Sequence, residues 1–156
     1  LAGSCRPEAS LRRAPDVPWV PQELVGRRGI MSLVEWSGEI GPGMARLGAV
    51  RDELPPLAGD LSAVPFLTMQ TITDDVFAHG LRTYIKAGFA DELSDDLIDA
   101  LIERGAAIAS PITQIEVLAM GGAIGRVASD ATAFPYRESR PFSMIPRRSR
   151  SVTAFR

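Results

Sequence analysis

The stretch SDDLIDALIERGAAIASPITQIEVLAM, Ser94 to Met120, decides the fold. Its first half has helical spacing and its second half alternates. Leu97, Ile98, Leu101 and Ile102 recur as one apolar stripe, the pattern of a helix with one buried side. Ser94 stands before it as an N-cap. Asp95 and Asp96 sit at the positive end of the helix dipole, and Gly105 can end the helix. From Ile112 to Met120 the period changes to two. Gln114, Glu116 and Leu118 share one side; Thr113, Ile115, Val117 and Ala119 share the other. A helix followed at once by such a strand predicts a helix lying on the apolar side of a sheet, with a polar side left over.

The same patterns recur on either side of this stretch. LRTYIKAGF (Leu81 to Phe89) alternates Arg82, Tyr84 and Lys86 against Leu81, Thr83, Ile85 and Ala87, and reads as a strand. GIMSLVEWS (Gly29 to Ser37) reads as another. GEIGPG after it reads as a turn, followed by a helix carrying Met44, Leu47, Val50 and Leu54 and stopped by Pro55 and Pro56. AGDLSAVPFLTMQTITDD, residues 58–75, reads as irregular, with Pro65 in its middle. Gly121 and Gly122 end the strand after Ile112, ATAFPYR reads as extended, and PFSMI as a further strand. The expected class is α+β, a mainly antiparallel sheet with helices packed on one face.

Composition narrows the function classes. The chain has 156 residues, 46% hydrophobic and 23% charged, which suits one domain with a real core. It has no run of about 18 apolar residues, so no membrane helix is expected. One cysteine and one histidine, Cys5 and His79, exclude a cysteine or multi-histidine metal site, and no metal is expected. The acidic run Asp91 to Asp96 lacks calcium-loop spacing and is explained by the helix start. No secretory signal is visible, so the expected compartment is cytoplasmic. The net charge of −2 hides a basic start, a strongly acidic middle and an Arg-rich end. The acidic middle argues against a nucleic-acid partner. Neither G-x-G-x-x-G in a strand-to-helix setting nor G-x-x-x-x-G-K-[ST] occurs, so no phosphate cradle is expected.

At LTMQ (Leu67 to Gln70), LRTYIKAGF, SPITQIEVLAMGGAIGRV (Ser110 to Val127) and DATAFPYR (Asp130 to Arg137) the chain resembles a known family. It is similar to the C-terminal half of FAD-linked oxidases of the berberine-bridge-enzyme-like type, within the vanillyl-alcohol-oxidase flavoprotein fold. The resemblance runs from about Leu11 to Ile145. GGAIGRV followed closely by TAFPYR is its most specific mark. Many relatives carry His where Tyr136 stands.

The resemblance implies FAD as cofactor, bound mainly by a flavin domain that this chain does not contain. It also implies a small-molecule substrate and a role as the substrate domain covering the flavin ring. The expected organisation is a disordered or foreign segment at 1–10, a partial substrate domain at 11–145, and a basic disordered or frameshifted tail at 146–156. Leu1 in place of Met implies that the natural start lies upstream. Such a chain would be inactive alone. A non-catalytic domain binding a ligand or a partner protein is the competing class.

Oxidation of an alcohol or amine needs a group to take the hydroxyl or amine proton. If the polar sides of the two strands coincide, Tyr84, Lys86, Gln114 and Glu116 meet in one wall. Tyr84 and Glu116 are then the catalytic candidates, and Lys86 and Gln114 the substrate-binding ones, with Lys86 favouring phenolate at Tyr84. The competing reading is an ordinary Lys86–Glu116 cross-strand ion pair. Gln70 in LTMQ is a candidate cleft residue. The resemblance places Tyr136 and Arg137 near the flavin ring, where Arg137 would offer charge to a reduced, anionic flavin. The plainer reading is an Arg tying its own loop down.

Overall fold

In the computed structural model the described residues are 4–72, 74, 82–120, 124–134, 136–137 and 141–149. His79, Gly121 and Gly122 lie outside them. Strand β1 spans Ser4–Arg13, β2 Arg28–Ser37, β3 Arg82–Phe89, β4 Gln114–Ala119 and β5 Pro141–Ser149. The helices are α1 (Ile40–Glu53), α2 (Phe66–Thr71) and α3 (Asp95–Ala106), with a 3-10 turn at Ile124–Arg126. The strands form one five-stranded sheet in the order β2-β1-β4-β5-β3. Every pairing is antiparallel, so the α+β expectation holds.

The register assigns every strand residue to a side, because directly paired residues in an antiparallel ladder point the same way. One row runs Met31, Ser10, Glu116, Met144, Ala87. The alternate residues, Leu11, Ile115, Val117 and Gly88 among them, belong to the other side, and helices α1 and α3 lie there. In α3 the Ser94 Oγ accepts the Leu97 N–H, and Asp95 and Asp96 occupy the first turn, as the sequence predicts. Gly105 comes so close to the sheet that a Cβ there would stand 2.6 Å from Leu11 Cδ2. Leu97 and Leu101 line a narrow apolar cleft of about 150 Å³ with Gly88, Leu93 and Val117. The stripe that faces the sheet is therefore Leu97, Leu101 and Gly105, while Ile102 turns outward and is 55% exposed. The close approach at Gly105 sets that rotation.

Two expected boundaries do not match breaks in structure. Residues 4–10 belong to β1, which pairs with both β2 and β4. Residues 146–149 belong to β5, which runs between β4 and β3. The reason is that ladder bonds join backbone groups and are indifferent to an Arg-rich or Pro-containing sequence, provided each Pro avoids a shared position. Pro7 lies just outside the part of β1 paired with β4, and Pro146 just outside the part of β5 paired with β4. The expected turn at GEIGPG is also corrected. Residues 40–43 form the first turn of α1, where Pro42 loses no helical bond because its N–H would be unsatisfied anyway.

Among the described residues, Val20, Ile108 and Ile115 are the fully buried hydrophobic side chains, beside the buried polar Ser10, Gln114 and Glu116. No described helix is long and apolar enough to cross a membrane.

Candidate functional site

Strand β4 carries the polar group of interest. Its neighbours on the side away from the helices are supplied by β1. Gln114 stands opposite Arg12, and Glu116 opposite Ser10. Gln114 Nε2 donates to Glu116 Oε1, and Ser10 Oγ donates to the Met31 carbonyl at 3.3 Å. Glu116 is 6% exposed, Gln114 5% and Ser10 2%. A carboxylate this deep needs hydrogen-bond donors and a nearby positive charge. Gln114 provides a donor, and Arg12 is a cation that the register puts on the same side. Such a carboxylate, held by Gln114 and lying among polar groups, is suited to taking a proton from a ligand.

The four-residue wall does not form. Glu116 pairs with Met144, and Met144 pairs with Ala87, so Tyr84, three residues from Ala87, falls on the opposite side of the sheet. Lys86 falls there too. The face of Tyr84 and Lys86 is that of Ile115 and α3, although Tyr84 is 56% exposed because it lies on the edge strand beyond the helix. The Lys86–Glu116 pair is ruled out by the same register. Conversely Ile85, expected under the helix, lies on the Glu116 side and is 48% exposed. The polar side is therefore closed over β1 and β4 and open along β3.

Gln70 is exposed on α2, which makes no extended packing contact with any strand among the described residues. It is not brought to the Gln114–Glu116 group. Tyr136 is brought to Phe89 at the end of β3, with Arg137 beside it over the Phe134 ring. Tyr136 stacks on Phe89, with ring centroids 4.1 Å apart. Phe89 pairs with Phe142, and Phe142 with Leu118, so Phe89 shares the Glu116 side. Arg137 Nη2 donates to Thr132 Oγ1, and Arg137 Nε is buried with no acceptor among the described residues.

Ser10 and Arg12 are the members of this group that sequence reasoning missed. Their signal was the alternation Glu8, Ser10, Arg12 against Ala9, Leu11, Arg13, which straddles the expected boundary between a foreign terminus at 1–10 and the domain from residue 11. No three described residues among His, Cys, Asp and Glu come together as a metal site would.

No protein-family model matches the chain, and no curated protein matches it in sequence. A solved structure, BBE-like number 28 from Arabidopsis thaliana, does match, with a TM-score of 0.58 and 16% identity. The match covers 93% of this chain and 31% of that one. At that identity the likeness is one of fold: the sheet and helices described above are arranged as in a part of a BBE-like protein.

Proposed function

We propose that this chain forms part of the substrate-side wall of an FAD-dependent oxidoreductase acting on an alcohol or amine, with Glu116 as proton acceptor. One observation carries the reading: the buried Gln114–Glu116 pair lies on the sheet side opposite α1 and α3, in a chain whose fold resembles part of a BBE-like protein. The residues suit a flavin ring rather than its phosphates. Arg137 Nε is a buried donor without an acceptor among the described residues, and the sequence holds no phosphate cradle. Tyr136 and Arg137 would lie against the ring. The flavin, when bound, supplies the acceptor for the substrate's hydride.

The chain's own residues do the rest. Glu116 takes the proton of the substrate hydroxyl or amine. Gln114, by donating to Oε1, fixes the orientation of the carboxylate. Ser10 and Arg12 keep that side polar, and Arg12 offsets the buried negative charge. Tyr84 and Lys86, on the helix side, have no part in this chemistry.

The chain spans 31% of the length of the BBE-like protein it matches, so on its own it should not retain FAD. Calorimetric titration should show no submicromolar binding. FAD raised to a concentration on the order of 1 mM should nonetheless shift the NMR signals of the Gln114 side-chain amide and the Met31 and Leu118 methyls. The Leu97 and Leu101 methyls should stay still. Shifts confined to the helix side, or none at all, overturn the reading.

A further inference from the structure

The loop carrying Tyr136 and Arg137 is organised by its own side chains. Thr132 Oγ1 accepts the Phe134 backbone N–H at 3.3 Å and also accepts from Arg137 Nη2. The Arg137 guanidinium lies over the Phe134 ring, with Cζ 5.6 Å from its centroid. Phe134 meets Tyr136 edge-on at 6.2 Å. These contacts give the loop a shape but do not tie it to the sheet. Phe89 does that. Its ring stacks on Tyr136 with an interplanar angle of 13°, and it meets Phe134 edge-on at 5.8 Å. The edge contact has a favoured aromatic geometry, and together with the stacked contact it restricts sliding and tilting. Phe89 is the last residue of β3, so its own position is set by the β3–β5 ladder.

We infer that Phe89 is a positioning residue: it holds the Phe134–Tyr136–Arg137 loop at the end of β3 and aims the Arg137 Nε–H as a preset donor. The use of that donor rests on the flavin reading above; the positioning does not. The buried Nε–H needs an acceptor to offset its lost hydration, and a ring edge bearing nitrogen or oxygen would supply one. Phe89 itself need not touch the ligand.

The test uses NMR on the full chain without cofactor. The sequence holds two tyrosines, so Tyr84→Phe leaves Tyr136 as the sole tyrosine signal. Its ring protons should lie upfield of free tyrosine and show cross-relaxation with Phe89. Phe89→Leu should abolish the upfield shift and broaden the Arg137 Nε–H signal, and Phe89→Trp, which keeps an aromatic ring there, should retain both. The Gln114 side-chain amide signal should stay in place throughout, reporting an intact sheet. Free-tyrosine shifts in the Tyr84→Phe chain overturn the inference without any need for the Phe89 variants to fold. So does a Phe89→Leu chain whose Tyr136 and Arg137 signals are unchanged. Lumiflavin then separates the two readings. It should move the Arg137 Nε–H in the parent chain but not in Phe89→Leu, while the Met31 and Leu118 methyls respond in both. If those methyls never respond, the flavin reading falls and the Tyr136 shift still decides the role of Phe89.

Discussion

Helices α3 and α1 lie on the same side of the sheet but are held by different means. Helix α3 has a side-chain cap, acidic residues in its first turn, and an apolar row that meets Leu11 and Val117. Helix α1 begins at Glu39 with no side-chain cap bond and has no acidic residue in its first turn. Met44, Val50 and Leu54 on it are 41%, 53% and 74% exposed. Its close contact is at Gly43, where the Trp36 indole lies against the backbone and donates to the Glu39 carbonyl at 3.0 Å. An apolar stripe is thus not sufficient to fix a helix. What fixes α3 is a matching row on the sheet; what fixes α1 is one ring against one glycine.

The contrast predicts a large loss when the row under α3 is cut. Ile115 is 3% exposed at the centre of that row. Ile115→Ala should lower stability by about 2–5 kcal/mol, read from urea unfolding. A loss well under 1 kcal/mol would mean that α3 does not depend on this row.

That row was legible in the sequence because α3 and β4 are adjacent in the chain and their periods are clean. The polar side of β4 was legible for the same reason, which is how Gln114 and Glu116 were found. The side taken by Tyr84 was not legible. Strands β3 and β4 are not neighbours: β5 lies between them, and the parity of β3 relative to β4 is the sum of two registers that alternation does not contain. Shifting either by one residue would have put Tyr84 on the Glu116 side, with β5 still between them. Strand β1 was lost for another reason. Its Pro7 and its three arginines suppress the pattern, while its backbone still pairs on both sides. The start of α1 was hidden because Gly41, Pro42 and Gly43 have the composition of a turn, and tertiary contact with Trp36 overrides that preference.

The glycines of α1 sharpen the comparison. A Cβ at Gly43 would stand 2.6 Å from Trp36 Nε1 and 2.8 Å from Cγ, near the root of the ring, so the indole must move. Gly43→Ala should therefore cost about 1–3 kcal/mol and change Trp36 fluorescence. Gly48, on the same helix, has nothing within 4 Å of such a Cβ. Gly48→Ala should raise stability by about 0.5–1 kcal/mol, since glycine is a poor interior helix residue. If both substitutions stabilise, Trp36 is not what seats α1.

The weakest link in α1 is electrostatic. Arg51, in its last turn, meets Asp60 at 2.9 Å across the connection that follows. The Leu61 backbone N–H donates to Asp60 at 2.8 Å, and together with Arg51 it holds the Asp60 carboxyl below its ordinary range. A lowered carboxyl pKa means that the folded form favours the ionised state. Its contribution is then complete above the unfolded value of about 3.9 and is lost as pH falls through the lower folded value. Both side chains are open to solvent, so the effect should be slight and should shrink further in salt. Asp60→Asn should leave stability at neutral pH nearly unchanged and flatten only the acid limb of the stability curve. A loss at neutral pH as large as that of Gly43→Ala would contradict this, because it would make the ion pair, rather than Trp36, the main restraint on α1.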